Sequence, residues 1–150
     1  MKRKVSILLI IVVFVNLISI HGHAAEITQN KYYCDDGSYF IVEISRNVER
    51  SSGNITGNKT YTYYNSDNSA QWRATLTASF NYTGSSSTCT NAYVSVDLYD
   101  SDWYVSSKYA SKSGNVATAS VTVGRRVAGI TMTSVPVNLR LTCDKSGNLS

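Results

Sequence analysis

Beyond position 23 the chain has no histidine: His21 and His23 are its only two. That excludes Ser-His-Asp and Cys-His nucleophile activation from everything downstream. It also excludes zinc sites other than an all-cysteine or carboxylate set. Proline is nearly absent, with Pro136 alone in 150 residues. Charge is sparse as well, at 16% of residues. No apolar run is long enough to cross a membrane as a helix, and no internal repeat, second domain or C-terminal hydrophobic tail is visible.

The first residues carry a different signal. Lys2, Arg3 and Lys4 precede an apolar stretch from Val5 to Ile20, broken by Ser6, Asn16 and Ser19. The small-residue segment Gly22-His23-Ala24-Ala25 follows. This is the anatomy of a secretory signal peptide. The apolar stretch is shorter than the roughly 20 residues of a spanning helix. We expect residues 1–24 to be removed by cleavage after Ala24 or Ala25. Residues 25–150 then form one secreted, extracellular domain with a short irregular N-terminal segment and no membrane association.

Cleavage also changes the charge. Three of the fourteen basic residues lie in the leader and none of the ten acidic ones, leaving eleven against ten. The basic balance therefore belongs in part to the leader. Arg125 and Arg126 are the only adjacent basic pair beyond it, which is not the basic stripe of a nucleic-acid partner.

The body of the chain reads as strands. In "AQWRATLTASFNY", Trp72, Ala74, Leu76, Ala78, Phe80 and Tyr82 alternate with polar residues, the period-two pattern of a half-buried strand. "SYFIVEIS" puts Phe40, Val42 and Ile44 on one face, and "KTYTYYN" alternates Tyr61 and Tyr63 with threonines. "AYVSVDLY" turns Val94, Val96 and Leu98 inward, and "VATASVTV" does so with Ala117, Ala119, Val121 and Val123. In "ITMTSVPVNLRLTC" the apolar phase switches from even to odd positions at Thr133–Ser134, which predicts a bulge or strand break there. Pro136, beside that switch, has no N–H for a ladder and marks an edge or a bulge. Turn-formers separate the runs: "SSGNITGN", "NSDNS", "TGSSSTCTN", "KSGN" and "GRRVAG". The expectation is an all-β fold, an antiparallel β-sandwich of seven or eight strands, Ig-like in the loose sense.

Three cysteines remain in a compartment that permits disulfides. Cys89 and Cys143 lie near the ends of strand-like runs, and Cys34 near the new N-terminus. We expect a Cys89–Cys143 disulfide, worth about 4 kcal/mol as an upper estimate for a loop of about 55 residues. Cys34 is left free, or available to link two chains into a dimer.

"DLYDSDWYV" gathers Asp97, Asp100 and Asp102 within six positions. Asp97 falls in the outward phase of one strand, and Asp100-Ser101-Asp102 join it to the next. Asp and Ser favour turns by bonding nearby N–H groups. Calcium needs six to eight oxygens, so a site here would require Asp67 or Asp144 as well, and the EF-hand pattern is absent. A glycosidase pair made of Asp100 and Asp102 would need a cleft between them. The turn reading is favoured, so no catalytic, metal or cofactor-binding residue is assigned and no cofactor is expected. Eleven tyrosines and two tryptophans include two groups, Tyr61-Tyr63-Tyr64 and Trp103-Tyr104-Tyr109. Such rings stack on sugars or bind proteins when exposed, and pack across strands when half-buried; the packing reading is favoured.

"DDGSYFIVEI", "KTYTYYNSDNSAQWRATLTASFNYTGSSSTCT", "SKYASKSGNVATASVTVG" and "VNLRLTCDKSGNLS" together resemble a group of small secreted proteins of Gram-positive, clostridia-like bacteria. The resemblance runs from about Asp35 to Ser150 and includes the cysteines of "STCT" and "LTC", with Cys34 as a departure. It implies a secreted bacterial source and brings no activity or active-site residues. The expected function is a non-catalytic domain binding an extracellular polymer, such as a cell-wall polysaccharide, or a surface protein. The alternatives are an antibacterial or membrane-active secreted effector and a carboxylate-only hydrolase.

Overall fold

A computed structural model describes residues 26–47 and 53–150. The signal peptide expected over residues 1–24 lies outside them. Eight strands follow in order: β1 (Glu26–Tyr33), β2 (Tyr39–Asn47), β3 (Asn54–Tyr64), β4 (Ala70–Tyr82), β5 (Ser87–Leu98), β6 (Trp103–Ser113), β7 (Val116–Val127) and β8 (Ile130–Thr142). They form two antiparallel sheets, β1-β2-β3-β4-β5 and β6-β7-β8, packed as a sandwich. Each sheet is a meander, so the likeness to an immunoglobulin domain extends to the layering and not to the strand order.

The alternation in the sequence becomes the core. Trp72, Ala74, Leu76, Ala78 and Phe80 of β4 are all at most 1% exposed. They face Ala117, Ala119, Val121 and Val123 of β7 and Val137, Leu139 and Leu141 of β8 in one cluster. Alanines between large side chains let the two layers interdigitate, and each large apolar side chain buried stabilises by about 1.5–3 kcal/mol. The opposite face of the five-stranded sheet is a polar ladder. Thr56 bonds Ser79, Thr77 donates to Asn58, and Arg73 donates to Thr62.

Bulges place residues that strict alternation would misdirect. Asn91 pairs with Ser79 and Cys89 with Phe80, so Thr90 is an extra residue and Cys89 turns inward despite its parity with Asn91. Thr131 and Thr133 pair with Arg126 and Arg125, which makes Met132 the extra residue of β8. The phase switch is therefore a bulge one position before Thr133. Pro136 sits on β8 at the free edge of its sheet.

Two segments differ from the expectation. The N-terminal segment is strand β1, not irregular, and "SSGNITGN" includes Asn54–Asn58, which belong to β3. No strand of the three-stranded sheet comes close to β1 or β2 among the described residues, so the larger sheet overhangs the smaller. Beyond β8 the chain folds back: Cys143 bridges Leu149, and Thr142 and Ser150 exchange backbone hydrogen bonds of 2.8 and 3.0 Å.

Candidate functional site: an aromatic cleft between the sheets

The overhang leaves an opening at the end of the sandwich, lined by Phe40 of β2, Tyr63 of β3, Trp103 of β6, Arg125 of β7 and Val135 of β8. Register sets its floor. Phe40 pairs with Tyr63, and Tyr63 with Trp72, so three rings lie side by side across β2, β3 and β4. Phe40 and Tyr63 centroids are 5.1 Å apart, and Tyr63 stacks on Trp72 at 5.6 Å. Trp103, from the other sheet, meets Tyr63 edge-on at 5.5 Å, the arrangement ring quadrupoles favour. Two adjoining cavities, of about 260 and about 440 Å³, share Asp36, Ser38, Tyr63, Trp103 and Arg125 and so form one cleft.

Gln71 holds Trp103 in place. It is the extra residue of a bulge between β3 and β4, and its side chain is buried. Its Oε1 accepts the Trp103 Nε1–H at 3.2 Å, its Nε2 donates to the Ser69 carbonyl, and its carbonyl accepts from the Tyr99 N–H. One side chain thus fastens the β5–β6 connection to the edge of the cleft.

The rim is polar. Asp36 accepts hydrogen bonds from the Ser38 hydroxyl and, at 3.0 Å, from its N–H. The Ser38 hydroxyl, then its N–H, hold the Asp36 carboxyl below the usual value. Gly37 completes this turn with φ 81°. Asn65 accepts from the Asp67 and Ser69 N–H groups. Arg125 pairs with Asp102 at 3.6 Å, both side chains nearly half exposed, a pair of little energetic weight. Cys34 is exposed and lies on the rim, and Thr133 and Val135 of β8 close the far side.

The aspartates of "DLYDSDWYV" separate in the structure. Asp97 is exposed on β5, opposite Arg73. The Asp100 carboxylate accepts the Asp102 N–H at 2.8 Å and the Asp100 carbonyl accepts the Trp103 N–H, which is a turn. Among the described residues no three Asp, Glu, Cys or His side chains converge as metal ligands. Asp100 also lines the cleft, across which Asp36 stands.

The aromatic groups are redistributed too. Tyr63 and Trp103 come together from the two groups of the sequence. Tyr64 lies on the opposite face, stacked on Tyr39 at 4.9 Å, and Lys31 caps that Tyr39 ring at 3.6 Å. Tyr104 lies against Gly124, under the Arg126 guanidinium at 4.5 Å, and Tyr109 is 69% exposed. None of Asp36, Phe40, Gln71 and Arg125 was read as a site residue in the sequence. The Asp36–Phe40 segment, Gln71 and Arg125 are far apart along it, and only the overhang and the Gln71 bulge assemble them.

The disulfide expectation is corrected. Cys34, Cys89 and Cys143 are all free. The buried thiols turn to nearby carbonyls instead, Cys89 to Asn91 at 3.3 Å and Cys143 to Asp144 at 3.4 Å. Their strands do share one turn, since the Cys89 and Cys143 N–H groups donate to the Gly114 and Asn115 carbonyls. Burial pushes both thiols above their usual pKa. No family model, curated protein or solved structure matches this chain.

Proposed function

We propose that residues 25–150 act as a secreted, non-catalytic domain that binds an extracellular polysaccharide in the cleft between the sheets. The observation that carries this reading is the ring floor of Phe40, Tyr63 and Trp103 beneath a rim of Asp36, Asn65 and Arg125. Ring faces suit the apolar faces of sugars, and carboxylate, amide and guanidinium groups suit their hydroxyls. The leader sequence and the resemblance to secreted clostridia-like proteins support export.

The test is co-sedimentation of the secreted domain with insoluble cell-wall and polysaccharide preparations. Retention that falls with Tyr63→Ala and with Arg125→Ala, but not with Tyr33→Ala on the far face, supports cleft binding. Retention that ignores all three substitutions, or no retention, overturns it.

A further inference from the structure

The overhang creates a second feature, which adjoins the cleft at Val135. β8 ends the three-stranded sheet, and the inner face of β2 and β3 extends beyond it as a shelf. The backbone of β8 alternates between its two sides. Cys143 sends its N–H to Asn115, toward β7, whereas Thr142 sends its N–H outward to Ser150. Alternation then turns Arg140, Asn138 and Ser134 outward and places Pro136 in the same outward set. That explains how a proline sits in this strand without breaking the β7 ladder. It also leaves a row of backbone groups beside the shelf with no strand next to them among the described residues.

The chain's own tail begins such a pairing at the end of this edge. Its tail pairs antiparallel to β8 at Thr142–Ser150 and Cys143–Leu149. Leu149 points inward and rests on Gly57 of β3. A strand continuing from Ser150 would place its next inward side chain two residues beyond Leu149. Two residues on from Gly57 stands Lys59, at the same rise per residue. Lys59 shares the inner face because it pairs with Leu76, a core residue. Among the described residues no carboxylate pairs with Lys59. Burial alone pushes the Lys59 pKa down, as for a cation short of an anionic neighbour.

We infer that the free edge of β8 between Ser134 and Arg140 takes an extended, acidic peptide segment of a partner protein as an added antiparallel strand, with an Asp or Glu side chain over Lys59. Main-chain hydrogen bonds supply affinity in this mode, and the side chains facing the floor supply selectivity. Pro136 withholds one donor, which limits pairing by arbitrary strands.

The test uses the whole domain with eight residues fused after Ser150, alternating threonine and valine, with glutamate at the first added position. Tethering gives an effective concentration on the order of millimolar. The second and fourth added residues then stand opposite Arg140 and Asn138. Amide exchange of Asn138 and Arg140 is followed by NMR, with a control extension carrying proline at those two positions. We expect exchange of both amides to slow about tenfold with the glutamate extension and not with the control. Lysine in place of the glutamate is expected to lose most of that protection, and Lys59→Gln to erase the difference between the two. The same glutamate octapeptide, added free, is expected to slow the same amides.

Unchanged exchange at Asn138 and Arg140 with the glutamate extension overturns the inference. So does equal protection by glutamate and lysine extensions, or an edge already protected in the unextended domain by a second copy, seen as concentration-dependent dimer. Polysaccharide retention in the cleft is measured on the unextended domain, so failure of that reading and failure of this one are told apart.

Discussion

Leu149 occupies a notch on β3 that exists because residue 57 is glycine. A Cβ at that position would meet the Leu149 side chain and stand 3.1 Å from the Ser45 carbonyl oxygen. Gly57→Ala should therefore force the tail off β3 and destabilise the domain by about 1–3 kcal/mol. Leu149→Ala, which empties the notch, should cost about 1–3 kcal/mol, less than a fully buried leucine because Leu149 is partly exposed. Urea denaturation of the two single variants and the double variant checks this. In the double variant the costs should fall short of additive, since both act on one contact.

The three thiols should behave as two classes. Cys34 is exposed on the cleft rim, whereas Cys89 and Cys143 are buried with raised pKa values. Iodoacetamide should label one cysteine in the folded protein and three in denaturant, since the thiolate is the reactive form. Without reductant, some secreted protein should migrate as a dimer, and Cys34→Ser should abolish that species. Two thiols resisting alkylation even in denaturant would mean that Cys89 and Cys143 are joined.

Acid should release the tail before the core. The Asp144 carboxylate accepts from the Ser146 N–H, the Asn148 N–H and the Asn148 side-chain amide, and the Asn148 side chain leads in lowering its pKa from 3.8. Between the folded and unfolded values the unfolded chain binds more protons, so stability rises with pH there. The contribution is present above about 3.8 and is lost as pH falls through the folded value. Amide exchange at Ser146 and Asn148 should accelerate over that window. Asp144→Asn should remove the pH dependence while leaving the β4 and β7 amides protected.

How much of this was legible in the sequence follows from which side chains meet a second layer. β4 and β7 carry strict alternation because one face of each lies in the core, so Trp72 to Phe80 and Ala117 to Val123 announce themselves. The bulge at Met132 and the edge position of Pro136 were readable as a broken phase and a missing donor. β1 was not, because it lies in the overhang: neither Ile27-Gln29-Lys31-Tyr33 nor Thr28-Asn30-Tyr32 is a uniformly apolar face. Gly57 read as a turn because the reason for a small residue there, Leu149, is far away in sequence. The cleft shares that long-range origin, with Asp36, Gln71, Trp103 and Arg125 contributed by four separate segments. The Cys89–Cys143 bond failed for a local reason, because each side chain turns to a nearby carbonyl.

Gln71 offers the sharpest link between packing and binding. Its Oε1 accepts the hydrogen bond of a tryptophan N–H that is otherwise shut away from water. Gln71→Ala should leave that donor unpaired and cost about 1–3 kcal/mol. The larger consequence is positional, because the same residue ties Tyr99 to β4 and so sets where Trp103 meets Tyr63. With that tie gone, Trp103 should gain freedom and its fluorescence should shift to the red. Gln71→Glu keeps the acceptor for the indole but removes the donor to the Ser69 carbonyl, so it should recover the Trp103 emission with only part of the stability. Denaturant midpoint and emission maximum, measured on both variants, separate the two roles: a blue Trp103 in Gln71→Ala would show that ring packing alone fixes the cleft floor.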